Sequence, residues 1–84
     1  MTNLSEFEKL NNRYAKKSTE YSTALQAYNK AWLERSALAN NTTAKAKQRV
    51  AQLDKIIAEK QNRCVTLRKE MQGIMQKMQS CQYT

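Results

Sequence analysis

Apolar residues recur along the chain at spacings of three and four, in two long stretches separated by a short polar cluster at 40–43. The stretches consist of good helix formers such as Ala, Leu, Lys, Glu, Gln and Met. The cluster is Asn-Asn-Thr-Thr; Asn favours the left-handed conformation that ends many helices, and Thr can cap the next one. The pattern therefore predicts helix 1 at about 4–39 and helix 2 at about 44–80. We expect residues 1–84 to form one unit.

Helix 1 carries an aromatic residue at every seventh position for four heptads. With Leu4 taken as heptad position a, these aromatic residues occupy position d, one of the two core positions of a coiled coil. They are Phe7, Tyr14, Tyr21 and Tyr28. Position a is more mixed and carries Leu4, Asn11, Ser18, Leu25, Trp32 and Ala39.

Helix 2 has the more regular apolar repeat. With Val50 taken as position a, nine of the ten residues at a and d are apolar, and Lys60 is the exception. The series is Val50, Leu53, Ile57, Lys60, Cys64, Leu67, Met71, Ile74, Met78 and Cys81. Since a short turn forces the helices antiparallel, the fold class predicted is all-α, an antiparallel two-helix coiled-coil hairpin.

The turn also predicts which residues face each other, since residue numbers that sum to 85 are paired about its centre. Tyr21 is then expected beside Cys64, and Lys17 is expected to form an ion pair with Glu70 along one edge. The tyrosines are interpreted as core residues. The alternative is a platform on which nucleic-acid bases stack.

A second apolar stripe lies at position g of helix 1 and is continued by one residue of helix 2. A two-helix hairpin buries only a narrow interface, so we expect this stripe to bind further helices. Self-association or docking of a helical partner would complete a four-helix bundle; the alternative is a lone hairpin whose edge is covered by Lys and Arg stems. The predicted partner-binding edge is Leu10, Ala24, Ala31, Leu38 and Ile56.

Lysine and arginine outnumber aspartate and glutamate by 15 to 7, which gives a net charge of +8. Most of the excess lies on helix 2. Such residues usually form a solvated face, but they could also bind an acidic protein surface or the phosphates of RNA or DNA. The predicted basic patch has one cluster after the turn and one midway along helix 2. Its members are Lys45, Lys47, Arg49, Arg63, Arg68 and Lys69.

The composition excludes several kinds of site. The chain has no histidine, which rules out histidine-based metal sites and triads. Cys64 and Cys81 lie about 25 Å apart along one helix, too far for a disulfide, and we expect both to stay reduced. No secretory signal or membrane-spanning segment is visible, so a cytoplasmic protein is expected.

These features predict a small non-enzymatic protein–protein interaction module of the adaptor, chaperone or inhibitor type. It would act through the apolar edge and a basic face, on a second copy or on a helical partner with an acidic surface. The alternative is a basic hairpin dimer that binds RNA or DNA phosphates through helix 2. No catalytic residue, metal, cofactor or small-molecule substrate is expected.

Overall fold

Two helices and one connecting turn make up residues 4–81, the part of the chain that this computed structural model describes. α1 spans Leu4–Ala37 and α2 spans Ala44–Cys81. The helices pack against each other into a rod with Cα extents of 65 × 14 × 13 Å. The predicted all-α hairpin is confirmed, and α1 ends two residues earlier than expected.

The turn closes through short-range hydrogen bonds. The Leu38 amide donates to the carbonyls of Glu34 and Arg35, at 3.2 and 3.1 Å. The Asn41 side chain accepts a bond from the Thr43 amide at 3.1 Å. No non-glycine residue in 4–81 has a positive φ, so the expected left-handed asparagine is not how α1 ends. Tightened bonds in its last turn do this instead.

The start of α2 is capped by a threonine side chain, as the sequence predicts. The Oγ1 atom of Thr43 accepts a hydrogen bond from the Ala46 amide at 3.2 Å. An N-cap side chain satisfies one of the amides that lack a partner in the first turn. Thr43 therefore fixes where α2 begins.

The buried face of α2 is the one that its heptad pattern predicts. Leu53 and Leu67 are the most deeply buried side chains, with 1% and 0% of their surface exposed. Every buried residue of this helix occupies position a or d of the predicted repeat. They are Ala46, Leu53, Ile57, Cys64, Leu67 and Ile74.

The buried face of α1 differs from the prediction. Ala24 and Ala31, at position g, are buried, whereas Leu25 and Trp32, at position a, are 37% and 41% exposed. The tyrosines at position d are half-buried. The α1 interface therefore uses positions d and g, which corresponds to a rotation of about 60° about the helix axis relative to a/d packing.

Side-chain size explains this rotation. Ala24 packs with Cys64 and Leu67 in one cluster, and Ala31 packs with Leu53 and Ile57 in a second. Alanine methyl groups allow the two helix backbones to approach closely, and large leucine side chains on α2 fill the remaining space. An indole ring in the same position would force the helices apart. The bulky residues at position a therefore lie outside the interface.

Candidate functional site

The predicted partner-binding edge lies within the hairpin itself. Leu10, Ala24 and Ala31 are buried, with 6%, 6% and 5% of their surface exposed. Leu38 and Ile56 are half-buried against the cluster that contains Ala31. The expectation of an open edge at these positions is therefore corrected. Their apolar character serves the contact between α1 and α2, because the rotation of α1 brings position g inward.

The predicted basic patch is dispersed around α2. Arg49 donates hydrogen bonds to the Glu34 carboxylate, one of them from Nη2 to Oε1 at 2.9 Å. Arg63 lies 3.9 Å from a carboxylate oxygen of Glu20 on the same edge of the rod. Arg68 points to the opposite edge. Several of these cations therefore contact the hairpin itself, and they do not form one continuous surface.

The lysines of the predicted patch are exposed, and none of them forms an ion pair with another residue of 4–81. Lys45 and Lys47 follow the turn but point to different sides, because residues two positions apart on a helix are separated by about 200°. Lys69 lies on the outer side of α2. These lysines spread positive charge around the rod.

One edge of the interface is ionic. The Lys17 ammonium lies 2.9 Å from Glu70 and 3.7 Å from Glu20, so the predicted Lys17–Glu70 ion pair is confirmed. The hydrogen bond from Lys17 lowers the pKa of Glu70, and the same contact raises the pKa of Lys17. The bond from Arg49 similarly lowers the pKa of Glu34. Cross-helix charge pairing therefore accounts for much of the charge on this edge.

The other edge is aromatic. The rings of Tyr28 and Trp32 meet edge to face, with centroids 6.5 Å apart and an interplanar angle of 75°. The Arg35 guanidinium lies over the indole at 5.6 Å, and its Nε atom donates a hydrogen bond to Asp54 of α2. These contacts hold the only tryptophan in a fixed orientation on the surface.

A second aromatic–arginine contact lies further along the same edge. Nη2 of Arg68 donates to the Tyr21 hydroxyl at 3.1 Å, and the guanidinium carbon is 5.9 Å from the centre of that ring. Arg68 and Tyr21 line an open groove together with Tyr14, Met71 and Met75. Aromatic rings, methionine and arginine are enriched in protein interfaces.

The aromatic edge belongs to a broad exposed surface that we call the charge-poor face. Helix geometry places positions a and e of α1 on the same side of the rod as positions e and b of α2. We take the face to extend from residue 11 to 36 of α1 and from 51 to 79 of α2. Asp54 and Arg68 are the charged residues at these positions within those limits, whereas Glu8 and Lys47 lie at position e beyond them and Arg35 lies at the border with the helix interface. The face comprises Asn11, Ala15, Ser18, Ser22, Leu25, Asn29, Trp32 and Ser36 of α1, with Ala51, Asp54, Ala58, Gln61, Val65, Arg68, Gln72, Met75 and Gln79 of α2.

The opposite side carries most of the charge, and we call it the charge-rich face. It includes positions c and f of α1 and positions g and c of α2. Cations and carboxylates are intermixed on it. Its charged residues are Glu6, Lys9, Arg13, Lys16, Glu20, Lys30, Glu34, Lys45, Arg49, Glu59, Arg63, Glu70 and Lys77.

Sequence reasoning missed the charge-poor face because Trp32 and Leu25 were assigned to the core. Two patterns in the sequence could have identified it. Position g of α1 carries small or apolar residues suited to a close interface, and positions a and e of α1 carry no charge between residues 9 and 39. A stretch without charge in a chain that is 26% charged indicates a surface for contacts.

Residues 4–81 contain no group of three or more Cys, Asp or Glu side chains placed to hold a metal ion. Among these residues, neither helix has an apolar stretch long enough to cross a bilayer. The thiol of Cys64 is buried, and that of Cys81 is half-buried. The charge-poor face is therefore the strongest candidate for a functional surface.

Comparison of the chain with protein-family models, curated proteins and solved structures found no match. Its function is therefore inferred from the chemistry of its own surface. The charge-poor face and the exposed lysines are the two features that bear on it.

Proposed function

We propose that this hairpin is a non-enzymatic protein–protein interaction module of the adaptor, chaperone or inhibitor type, which binds through its charge-poor face. The observation that carries the proposal is the exposed Trp32, 41% accessible, beside the exposed Leu25 on a surface with only two charged residues. Leu25, Trp32, Val65 and Met75 are exposed large apolar side chains on this face, and exposed apolar side chains grouped on one surface are a common mark of a protein-binding site.

The composition of the face supports this proposal. Tryptophan, tyrosine and arginine are the residues that most often contribute the largest share of binding energy at protein interfaces. Charged residues, and lysine in particular, are depleted from interface centres. The charge-poor face is bordered by aromatic–arginine contacts at Trp32 and Tyr21, and it carries no lysine between residues 51 and 79.

The orientation of Trp32 also supports binding. Its ring contacts Tyr28 on the same helix and Arg35, which in turn bonds to Asp54 on the other helix. A side chain already held in one orientation loses little conformational freedom when a partner binds. Trp32 is therefore well suited to insert between side chains of a partner.

Binding to RNA or DNA phosphates through α2 is the second candidate function. It is supported by the net charge of +8 and by the exposed Lys45, Lys47 and Lys69, which form no ion pairs with residues 4–81. The interleaved carboxylates weaken this candidate, since they repel phosphate. The dispersion of the lysines around the rod weakens it further.

A pair of substitutions tests the first proposal. Leu25→Glu places a charge in the middle of the charge-poor face, and Thr23→Glu places the same charge one half-turn away, on an exposed position of the other side. Each variant and the unaltered chain are used to capture proteins from the native cell. We expect Leu25→Glu to lose at least about 90% of a specific partner and Thr23→Glu to retain it. Equal capture by all three chains would overturn the proposal.

A solution assay tests the second candidate. Fluorescence anisotropy of labelled RNA and DNA 20-mers is measured against the purified chain at low and high salt. Binding that falls steeply with salt, is lost in the triple variant Lys45→Glu/Lys47→Glu/Lys69→Glu and persists in Leu25→Glu would support it. If neither RNA nor DNA binds at low salt, nucleic-acid binding is excluded as the function.

A further inference from the structure

We propose that the charge-poor face binds a second copy of this chain, and that the two hairpins stack antiparallel into a four-helix bundle with their turns at opposite ends. This inference rests on the proposed function, because it names the partner of that same surface. Charge, side-chain size, ion pairing and area support the arrangement independently.

Net charge favours this face for self-association. Two copies that each carry +8 repel one another, and the repulsion is least where the contacting surfaces are neutral. The charge-poor face carries one positive and one negative residue, Arg68 and Asp54. An acidic partner, in contrast, would gain most from the exposed lysines elsewhere on the rod. The charge distribution therefore points to a second copy.

Side-chain size fixes the position of a two-fold axis along α1. In the antiparallel arrangement, α1 of one copy lies on α1 of the other, and Leu25 lies near the middle of the uncharged stretch. With the axis at Leu25, the large Trp32 of each copy faces Ser18 of the other, because both lie seven residues, or about two helical turns, from the axis. Ala15 is beside Ser18 on the same face. Large residues thus meet small ones.

The same axis produces charge complementarity on α2. Four cross-helix ion pairs, Arg35–Asp54, Lys17–Glu70, Glu34–Arg49 and Glu20–Arg63, indicate which residues of the two helices lie at equal height. Averaged together, they place Leu25 level with residues 60 and 61.

Asp54 and Arg68 each lie seven residues from Gln61, on opposite sides of it. The axis therefore brings Arg68 of each copy opposite Asp54 of the other. A carboxylate accepts several hydrogen bonds, so Asp54 can retain Arg35 and also bind this second guanidinium. Both charged residues of the face would then have partners across the interface.

The parallel arrangement lacks these advantages. It would bring the two turns together, with Lys45 and Lys47 of both copies at one end of the bundle. It would also place Trp32 over Asp54 of the other copy rather than over a small residue. The antiparallel arrangement instead separates the two turns by about 50 Å, since each turn lies about 16 residues from the axis at Leu25.

The available area is sufficient for a stable dimer. The charge-poor face is about 40 Å long and 20 Å wide, given the rise and diameter of a helix, or roughly 800 Å² per copy. Stable protein interfaces bury about this much surface on each partner. A narrower strip along one helix would fall short.

Sedimentation equilibrium over a concentration series, with circular dichroism to confirm helicity, tests the proposal. We expect the unaltered chain to be dimeric at micromolar concentration. Asp54→Arg gives each copy two arginines at the paired positions, and Arg68→Asp gives each copy two aspartates. Each variant should dimerise at least about tenfold more weakly, since like charges then face each other. An equimolar mixture of the two should recover a heterodimer.

Glu34→Arg is the matched control, because it also reverses a charge and breaks a cross-helix ion pair, but on the charge-rich face. It should dimerise like the unaltered chain. A monomeric unaltered chain at 100 μM, on the order of a hundred times the concentration at which a stable interface assembles, would overturn the self-association proposal. So would undiminished dimerisation of both charge variants. The capture experiment with Leu25→Glu tests partner binding independently of self-association. A monomeric chain that still captures a partner through the charge-poor face would contradict the dimer but not the proposed function.

Spin labels at the turn test the orientation. Thr42→Cys is introduced into a chain with Cys64→Ala and Cys81→Ser, and the distance between the two labels of the dimer is measured. With the two-fold axis at Leu25, Thr42 lies 17 residues from the axis, so an antiparallel bundle gives a distance of about 50 Å between the labels. A distance of roughly 20 Å, comparable to two helix diameters, would indicate the parallel arrangement and overturn this proposal.

Discussion

Arg35 connects Trp32 to the opposite helix: its guanidinium lies 5.6 Å from the centre of the indole ring, and its Nε donates a hydrogen bond to Asp54. The tryptophan is thus held in place by a cross-helix contact although much of its surface is exposed. We expect the contribution of Trp32 to folding to be smaller than that of a fully buried residue, and its contribution to binding to be large.

We expect substitutions of Trp32 and Leu67 to have different effects on folding. In dilute monomeric protein, Trp32→Ala should lower the free energy of unfolding by about 1–2 kcal/mol, because the ring packs against Tyr28 and Arg35 but remains 41% exposed. Leu67→Ala should cost roughly 2–5 kcal/mol, because it leaves a cavity at a fully buried site. Urea unfolding followed by circular dichroism measures both. A large loss for Trp32→Ala would place the ring in the folding core after all.

Enlarging the alanine at the centre of the interface should destabilise the hairpin. Ala31→Leu adds volume between Leu53 and Ile57, and overpacking of this kind costs about 1–3 kcal/mol. Ala58→Leu is the matched control, since Ala58 is exposed on the charge-poor face. Thermal unfolding should show a lower Tm for Ala31→Leu only. An unchanged Tm would mean that Ala31 lies on an open edge, as the heptad pattern suggests.

Acid should weaken the ionic edge. The pKa values of Glu34 and Glu70 are lowered below their ordinary value of 4.5, chiefly by hydrogen bonds from Arg49 and Lys17. Because these carboxylates release protons more readily when folded, they stabilise the hairpin above pH 4.5, and this stabilisation is lost as the pH falls through their folded pKa values. Tm should therefore drop by a few degrees between pH 6 and pH 3.

The charge variant Glu34→Gln/Glu70→Gln provides the control for the acid effect. It should start from a lower Tm at pH 6 and show a smaller drop on acidification. The same drop in both chains would assign the acid sensitivity to other carboxylates.

The one glycine offers a simple way to stabilise the protein. A Cβ atom added at Gly73 in α2 would meet no atom within 4 Å. Gly73→Ala should therefore raise the free energy of unfolding by about 1 kcal/mol through helix propensity alone. Ala51→Gly, at an exposed position of the same helix, should lower it by a similar amount. A decrease in Tm for Gly73→Ala would show that a contact requires the glycine.

The sequence suffices to predict the hairpin and the buried face of α2. The a/d positions of α2 include Leu53, Leu67 and Ile74, and no other stripe on that helix is comparably apolar. The short turn then determines the antiparallel pairing. The Lys17–Glu70 ion pair also follows, because both residues stay near the interface under either rotation of α1.

The face of α1 could not be predicted from its own pattern. Its tyrosines at position d belong to two overlapping stripes, one shared with Trp32 and one shared with Ala31. The choice between the stripes depends on how closely the helices approach, which is a property of the pair. The candidate functional surface changes with this choice, since the rotation exposes Trp32 and buries the alanines.

The buried thiol of Cys64 provides a measure of how often the hairpin opens. It is packed between Ala24 and Leu67, where a thiol reagent cannot reach it while the helices remain together. Its labelling rate, read by mass spectrometry against that of the half-buried Cys81, therefore gives the frequency with which the two helices separate. If binding of a second copy stabilises the closed hairpin, the labelling rate of Cys64 must decrease as the protein concentration rises.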